Sequence, residues 1–385
     1  MSRQWIEWYE GTSAEQIPWE QAQDADYVKS YLLPMMTEQP SRYVQNVQTQ
    51  MHALRVGDRI MPVTVNDTEY DNSYVSSVFT HYVTYAKEEL GMLDSGVLRR
   101  VLSTVLTGLG RWMKKSQCNK MVIVNNWLLS TNLYPDVSAD EVKDITENGI
   151  QKFPGHIIAF RSVCRRLYPD FYKGLVEKGY LMVPSRYVYL FHPDWPAQGK
   201  WRVRNTLNRD RKMLAKSGYR ILRHEELEEQ HVERIVTLYN ALYLDKYSQH
   251  NPQFSVEFVQ LAIQKRTLTL IGLEKDGRLD GILGYFERKG VMTTPLFGYD
   301  TTLPKETGLY RMLSCLLVHE AQSKGILLHQ SAGVGAFKAD RGAEGEPEYT
   351  AVYVKHLPLY RQAVWKVLAV LLNQIGIKMV EKYRL

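Results

Sequence analysis

The chain has 385 residues, 44% hydrophobic and 23% charged, with a net charge of +6, which allows two domains with ample core and suits an anionic substrate without demanding one. Three scattered cysteines, Cys118, Cys164 and Cys315, lack metal-ligand spacing and argue against a disulfide framework. No apolar run reaches the roughly 18 residues that a membrane span needs, and the opening MSRQWIEWYEG has no apolar signal core, so a cytoplasmic protein is expected.

Residues 1–50 are acidic-polar and aromatic, with helical patches and no motif. His52–Val65 reads as a hairpin about Gly57-Asp58. A polar, tyrosine-rich stretch around Asn72 and Tyr74 leads into Val75–Tyr85, which alternates enough to predict a strand carrying His81. Lys87–Lys115 predicts one or two helices, with Leu98, Val101, Leu102, Val105, Leu106, Leu109 and Met113 at helical spacing. Met121–Val124 is a short buried strand. His156–Phe160 reads as another, Arg161–Lys178 as a helix opened by Arg161 and Ser162, and Leu181–Phe191 as one long strand or a pair. Pro193–Gly199, with two prolines and no periodicity, is the best linker. It divides the chain into 1–195 and 196–385.

The stretch Lys200–Arg223 holds nine cations against the single Asp210. It reads either as a solvated helix face or as a phosphate-tracking surface. Glu225–Tyr247 is a long helical region, and Ser255–Gln264 a second helix. Thr267–Glu274, Gly281–Arg288 and Val291–Thr301 are three strands split by Asp276-Gly277 and Lys289-Gly290, dipeptides suited to tight hairpins. Gly308–Lys324 shows Leu309, Met312, Leu313, Leu316, Leu317 and Ala321 on one apolar face, and Lys324-Gly325 is a good stop. Ile326–Gln330 and Glu348–Val354 read as strands, and Val364–Ile377 as a buried or interface helix. A strand–helix–strand unit this compact implies a parallel pair with a right-handed crossover. A ligand is expected where the first strand ends and the helix begins, because free N–H groups point there.

This order of elements resembles the acyl-CoA-binding half of the GNAT N-acyltransferase fold. It is closer in texture to the FemAB-like branch, built from two GNAT-like halves. The matching stretches are Arg204-Asn205-Thr206-Leu207 with the basic helix after it, Gly281–Tyr285, Gly308–Arg311, and Phe337-Lys338 with Arg341-Gly342, over about the last half of the chain. Ordinary GNAT enzymes resemble Arg/Gln-x-x-Gly-x-Gly/Ala in the pyrophosphate loop. Here the run is Lys305-Glu306-Thr307-Gly308-Leu309-Tyr310, with a bulky Tyr where a small residue lets the backbone approach a phosphate. That departure favours the FemAB-like branch, which draws on aminoacyl-tRNA. The resemblance implies an α/β protein of mixed sheets, with tandem GNAT-like domains. The implied activity is N-acyl or N-aminoacyl transfer from acyl-CoA or aminoacyl-tRNA to an amine of a small molecule or peptide, without a metal. Thr307, Gly308, Tyr310 and Arg311 are the implied donor contacts, and tRNA would run along the 200–223 helix.

Amide formation needs a neutral amine, donors aimed at the developing oxyanion, and a proton for the leaving group. In a fold of this type the oxyanion donors are backbone N–H groups at the end of the strand before the helix, here Phe297–Asp300. Tyr299 suits a proton donor and Asp300 a base or amine anchor; a core tyrosine and a turn-capping aspartate are the plainer readings. His329, on the next strand, and Glu287, on a neighbouring one, are further proton-transfer candidates. Lys338 and Arg341 are placed to hold a phosphate or carboxylate, or simply form an exposed basic loop. Asn72, Tyr74, His81 and Arg161 are the corresponding substrate contacts of the first half. His224-Glu225-Glu226-Leu227-Glu228 is not His-Glu-x-x-His, and no Gly-x-Ser-x-Gly, Walker loop or Cys-x-x-Cys occurs. A non-catalytic binding module on the same fold is the rival class.

Overall fold

The computed structural model describes residues 6–92, 95–194 and 201–376. The chain begins with β1 (Ile6–Tyr9), α1 (Ala25–Thr37), β2 (Gln50–Val56), β3 (Arg59–Asn66), α2 (Tyr85–Glu89) and α3 (Gly96–Lys115). Then come β4 (Met121–Val124), α4 (Ala139–Lys152), β5 (Ile157–Cys164), α5 (Pro169–Glu177) and β6 (Leu181–Phe191). After them follow α6 (Trp201–Lys216), β7 (Arg220–Leu222), α7 (Val232–Tyr243), α8 (Val256–Lys265), β8 (Thr269–Lys275) and β9 (Arg278–Arg288). The last elements are β10 (Val291–Tyr299), α9 (Leu309–Lys324), β11 (Leu327–His329), α10 (Gly335–Ala339), β12 (Glu344–Tyr353) and α11 (Leu359–Leu371).

Two compact units emerge. Among the described residues the first holds those up to Ser185, His250–Gln253 and those from Glu348 onward; the second holds Arg186–Gln249 and Phe254–Pro347. The division expected at 195/196 lies outside the described residues, and the segment from Glu348 onward packs with the first unit.

Strand order in the first unit is β1-β2-β3-β4-β5-β12, and in the second β6-β11-β10-β9-β8-β7. In the first, β2–β3 and β3–β4 are antiparallel and β4–β5 parallel. In the second, β7–β8, β8–β9 and β9–β10 are antiparallel and β10–β11 parallel. Each unit therefore sets an antiparallel run beside one parallel pair bridged by a helix, α4 or α9. This is the tandem GNAT-like, mixed-sheet α/β arrangement.

Local chemistry explains the punctuation. Asp276-Gly277 and Lys289-Gly290 both take positive φ (51° and 73°; 50° and 74°), the two-residue turn whose twist matches a hairpin. Gly325 closes α9 at φ 64°. The apolar face of α9 meets Ile271, Leu283, Met292 and Leu328 in the second unit's core, while Val63, Val124, Ile158 and Phe160 centre the first.

Three expectations are corrected. Val75–Tyr85 is not a strand: Thr80–Thr84 forms a π turn leading into α2. There Ser77 and Asn119 side chains bond the Thr80 and Phe79 N–H groups, a local alternative to a sheet ladder. Arg161 opens no helix; it continues β5, and the helix waits for Pro169 at the start of α5. The long helix expected over Glu225–Tyr247 shrinks to α7, preceded by short 3-10 turns. The linker at 195–199 and Lys200 lie outside the described residues.

Candidate functional site

In the second unit β10 pairs with β11 over only three residues, Val291–Thr293 against Leu327–His329. Immediately afterwards the β9 register slips between Thr293 and Leu296. Thr294-Pro295 forms this bulge, and Pro295 has no N–H to offer a neighbour. From there β10 leaves β11 while keeping β9 as far as Tyr299.

The direction of the freed N–H groups follows from alternation along a strand. The Asp300 N–H donates to the Asp280 carbonyl on the β9 side at 2.8 Å. The N–H groups of Tyr299 and Phe297 therefore point to the side that β11 has left. Gly298 lies between them, where an added Cβ would meet the α7 backbone at Leu238 within 2.5 Å. Only glycine permits α7 to support the strand so closely.

The start of α9 faces the same end of β10. Gly308 caps it at φ 72°, with no side-chain cap and no acid in the first turn. Its leading N–H groups thus keep their positive field. The equivalent helix of the first unit differs: α4 has a complete Ser138/Glu141 capping box and two acids in its first turn. Its N-terminus is satisfied by its own side chains and repels anions.

Aromatic rings wall the corner of the second unit. Tyr310 packs on Phe297 (5.4 Å between centroids), Tyr299 (6.2 Å) and Phe337 (4.9 Å). Phe297 is buried, and Tyr299, Tyr310 and Phe337 are each half-buried. Burial raises the Tyr299 phenol above its ordinary pKa, so it stays protonated and can donate. The Met213 methyl group lies where a Cβ on Gly308 would be, 2.0 Å away, so an apolar cap covers the glycine that a phosphate loop would expose.

The charged candidates are placed differently from expectation. Asp300 is no free base: it accepts from Arg234 at 2.8 Å, Arg278 at 2.5 Å, and the Thr302 N–H and hydroxyl at 2.9 and 2.5 Å. Burial pushes its carboxyl up, but the Thr302 and Arg234 bonds prevail and hold it at about 2. Arg311 and Arg341 do not reach into the corner as free anion ligands. Both grip Asp210 on α6, Arg341 at 2.7 Å. Asp210 is 1% exposed, and a carboxylate so deep needs such partners. Lys338 is 5% exposed and gives its ammonium protons to the carbonyls of Gln330, Ser331 and Ala332 at 2.6, 3.2 and 2.8 Å. All three of its donors are used in clamping that loop. Burial and Arg186 lower its pKa to about 7, while the three carbonyls favour the ammonium.

His329 is buried on β11 level with Thr293, and its Nδ1 accepts from the Ser331 N–H at 3.1 Å. Tyr299 lies six residues further along β10, roughly 20 Å at strand rise, so the two do not share a mouth. Glu287 pairs in register with Met292 and forms an ion pair with Lys324 at 2.5 Å, also at the far end. The structure thus brings together Tyr299, Thr307, Gly308 and Tyr310, and sets His329 and Glu287 apart.

In the first unit β4 and β5 also pair for only four residues. Beyond them Arg161 and Ser162 bulge opposite Thr350. The Arg161 guanidinium donates to the Val75 carbonyl at 2.9 Å and Asn126 Oδ1 at 3.1 Å, and lies 5.9 Å from the Tyr74 ring. The His81 ring lies 5.8 Å from that of Tyr74, tilted by 43°, with Nε2 3.1 Å from the Ser185 carbonyl. Tyr74, His81 and Arg161 are therefore neighbours. Asn72 works as a pin: it accepts from the Gln48 N–H and the Ser76 hydroxyl and donates to the Gln48 carbonyl.

Sequence reading missed Asp210, Arg234 and Arg278. Asp210 carried a usable signal. It is the sole acid of the basic stretch, and it falls in helical step with Val203 and Leu207, the buried residues of α6. The outer side of α6 lines a groove of about 1050 Å³ with Arg202, Asn205, Arg209, Lys212 and Asp340. Among the described residues no group of three His, Cys, Asp or Glu side chains is placed to hold a metal ion.

No protein-family model matches the sequence, and no curated protein resembles it significantly. Solved structures do resemble it. FemX aligns at 8% identity and TM-score 0.46 over 59% of this chain and 79% of its own. L-PGS from Bacillus licheniformis aligns at 15% and 0.43 over 60% and 78%. A GCN5-related N-acetyltransferase from Kribbella flavida aligns at 13% and 0.33 over 61% and 80%. By its own strand order and crossovers, the chain has a tandem GNAT-like fold.

Proposed function

We propose that the chain is an N-acyl or N-aminoacyl transferase, with the reacting carbonyl seated at the end of β10 in the second unit. One observation carries this reading: two N–H groups, those of Phe297 and Tyr299, turn towards the side vacated by β11, beside an uncapped helix start. Donors fixed in advance stabilise a tetrahedral oxyanion better than mobile water does. The amine, delivered neutral, attacks the ester or thioester carbonyl. The oxyanion forms against the two N–H groups, and its collapse expels the alcohol or thiol. The protonated Tyr299 phenol supplies a proton to that leaving group. Asp300 is tied to two arginines, so the amine's proton leaves to water.

The donor we favour is aminoacyl-tRNA. Met213 over Gly308 and the bulky Tyr310 hinder a close pyrophosphate, whereas the outer side of α6 offers a cationic groove to a polyanion. The acceptor is an amine of a small molecule or peptide. The test is turnover by the purified protein with aminoacyl-tRNA or acyl-CoA and a panel of amines. Amide product with the tRNA donor supports the proposal, and product with acyl-CoA alone overturns the donor assignment. Saturable ligand binding without product from any donor supports a binding module instead. The ion pairs that occupy Asp300, Arg311 and Arg341 favour that second reading.

A further inference from the structure

In the first unit, α3 carries the most amphipathic pattern of the described helices, and its apolar arc is wider than its buried side: Leu102, Leu106 and Leu109 are half-buried in step with Met113, and Leu109 and Met113 join a core cluster. Gly110 and Met113 are the buried positions, with Gly110 set against Val83 and Phe79. The rest of that arc is turned outward: Val97 is 75% exposed, Val101 55%, Val105 59% and Trp112 36%. Their steps of four, four and seven form one ridge along the helix, with Gly108 in the gap.

Charge identifies the partner. Across Gly96–Lys115 there are five cations, Arg99, Arg100, Arg111, Lys114 and Lys115, and no acid. A protein partner's apolar groove would not call for such a one-sided balance. An anionic lipid surface does: cations at headgroup depth, valines and a tryptophan just beneath. The mean hydropathy of the chain is −0.33, and among the described residues no helix is long and apolar enough to cross a membrane, so the contact is with the surface. α11 joins the same core cluster through Trp365 and Leu368, and it also exposes Val370 (53%) and Leu371 (48%).

We infer that α3 docks the first unit on an anionic bilayer, lying in the interface with Val97, Val101, Val105 and Trp112 inserted. This does not rest on the transferase reading, whose residues lie in the second unit. The full chain is sedimented with vesicles of phosphatidylcholine alone or of equal parts phosphatidylcholine and phosphatidylglycerol, at low and high salt. Wild type should bind the mixed vesicles about tenfold more tightly than the neutral ones, and lose that margin in high salt. Val101→Glu with Val105→Glu, both exposed and so compatible with folding, should weaken binding about tenfold. Arg100→Glu with Arg111→Glu should abolish the preference for the anionic lipid. Equal binding to both vesicles, or valine variants that bind like wild type, would overturn the inference. So would the absence of vesicle binding together with an oligomer that the valine variants convert to monomer, because the ridge would then be a contact between copies of this chain.

Discussion

Asp300 and Asp210 are two carboxylates in one unit, and neither is available for proton transfer. The folded pKa of Asp300, about 2, lies below its ordinary 3.8. A depressed carboxyl contributes stability that is complete above about pH 4 and is lost as pH falls through 2. Asp300→Asn should therefore cost about 1–2 kcal/mol at pH 7, discounted for the exposed Arg278 partner. The penalty, read by urea unfolding, should shrink towards pH 2; a penalty that does not change with pH would show that the charge is not what matters. Asp210→Asn leaves two guanidiniums competing for a neutral amide, and about 3 kcal/mol should be lost. Unchanged unfolding midpoints would mean that solvent replaces the carboxylate at little cost.

Elements, rather than single side chains, shape the proposed oxyanion site. The β10 bulge at Thr294-Pro295 releases the strand from β11, and α7 presses on Gly298 to hold it in line. A Cβ at 298 would strike α7 backbone, which cannot swing aside as a side chain can. Gly298→Ala should destabilise by about 2–3 kcal/mol, and it should lower kcat more than it raises KM, because it displaces the two flanking N–H groups. A normal kcat in a folded Gly298→Ala protein would remove those groups from the chemistry. The contrast between α4 and α9 belongs to this scale too. Ser138 and Glu141 cap one helix start, while Gly308 leaves the other open.

At the scale of the molecule, the charges of α6 are sorted by sign and by depth. The acid of α6 faces inward and its cations outward, so the groove between α6 and α10 stays positive despite Asp340. If tRNA tracks that groove, Arg209→Glu with Lys212→Glu should weaken its binding and reduce the slope of log affinity against log salt by about 1.5, two phosphate contacts' worth. An unaltered slope would move the polyanion elsewhere. The two units also divide the work proposed here: an open helix start and cationic groove in the second, an outward apolar ridge in the first.

The strand–helix–strand unit of the second half, its hairpin turns and its helix stop were legible in the sequence, because periodicity and Gly-containing turns are local properties of the chain. So was the tandem order of elements that marks the GNAT-like fold. The sequence also marked Tyr299, Gly308 and Tyr310 as neighbours of one strand end. It could not show that Arg311 and Arg341 meet Asp210, more than a hundred residues away, or that Arg234 and Arg278 close on Asp300. Nor could it show that α3 turns Val97, Val101 and Val105 to water while Leu109 and Met113 reach the core: the spacing fixes which residues share a face, but only packing against the rest of the unit decides which way that face looks.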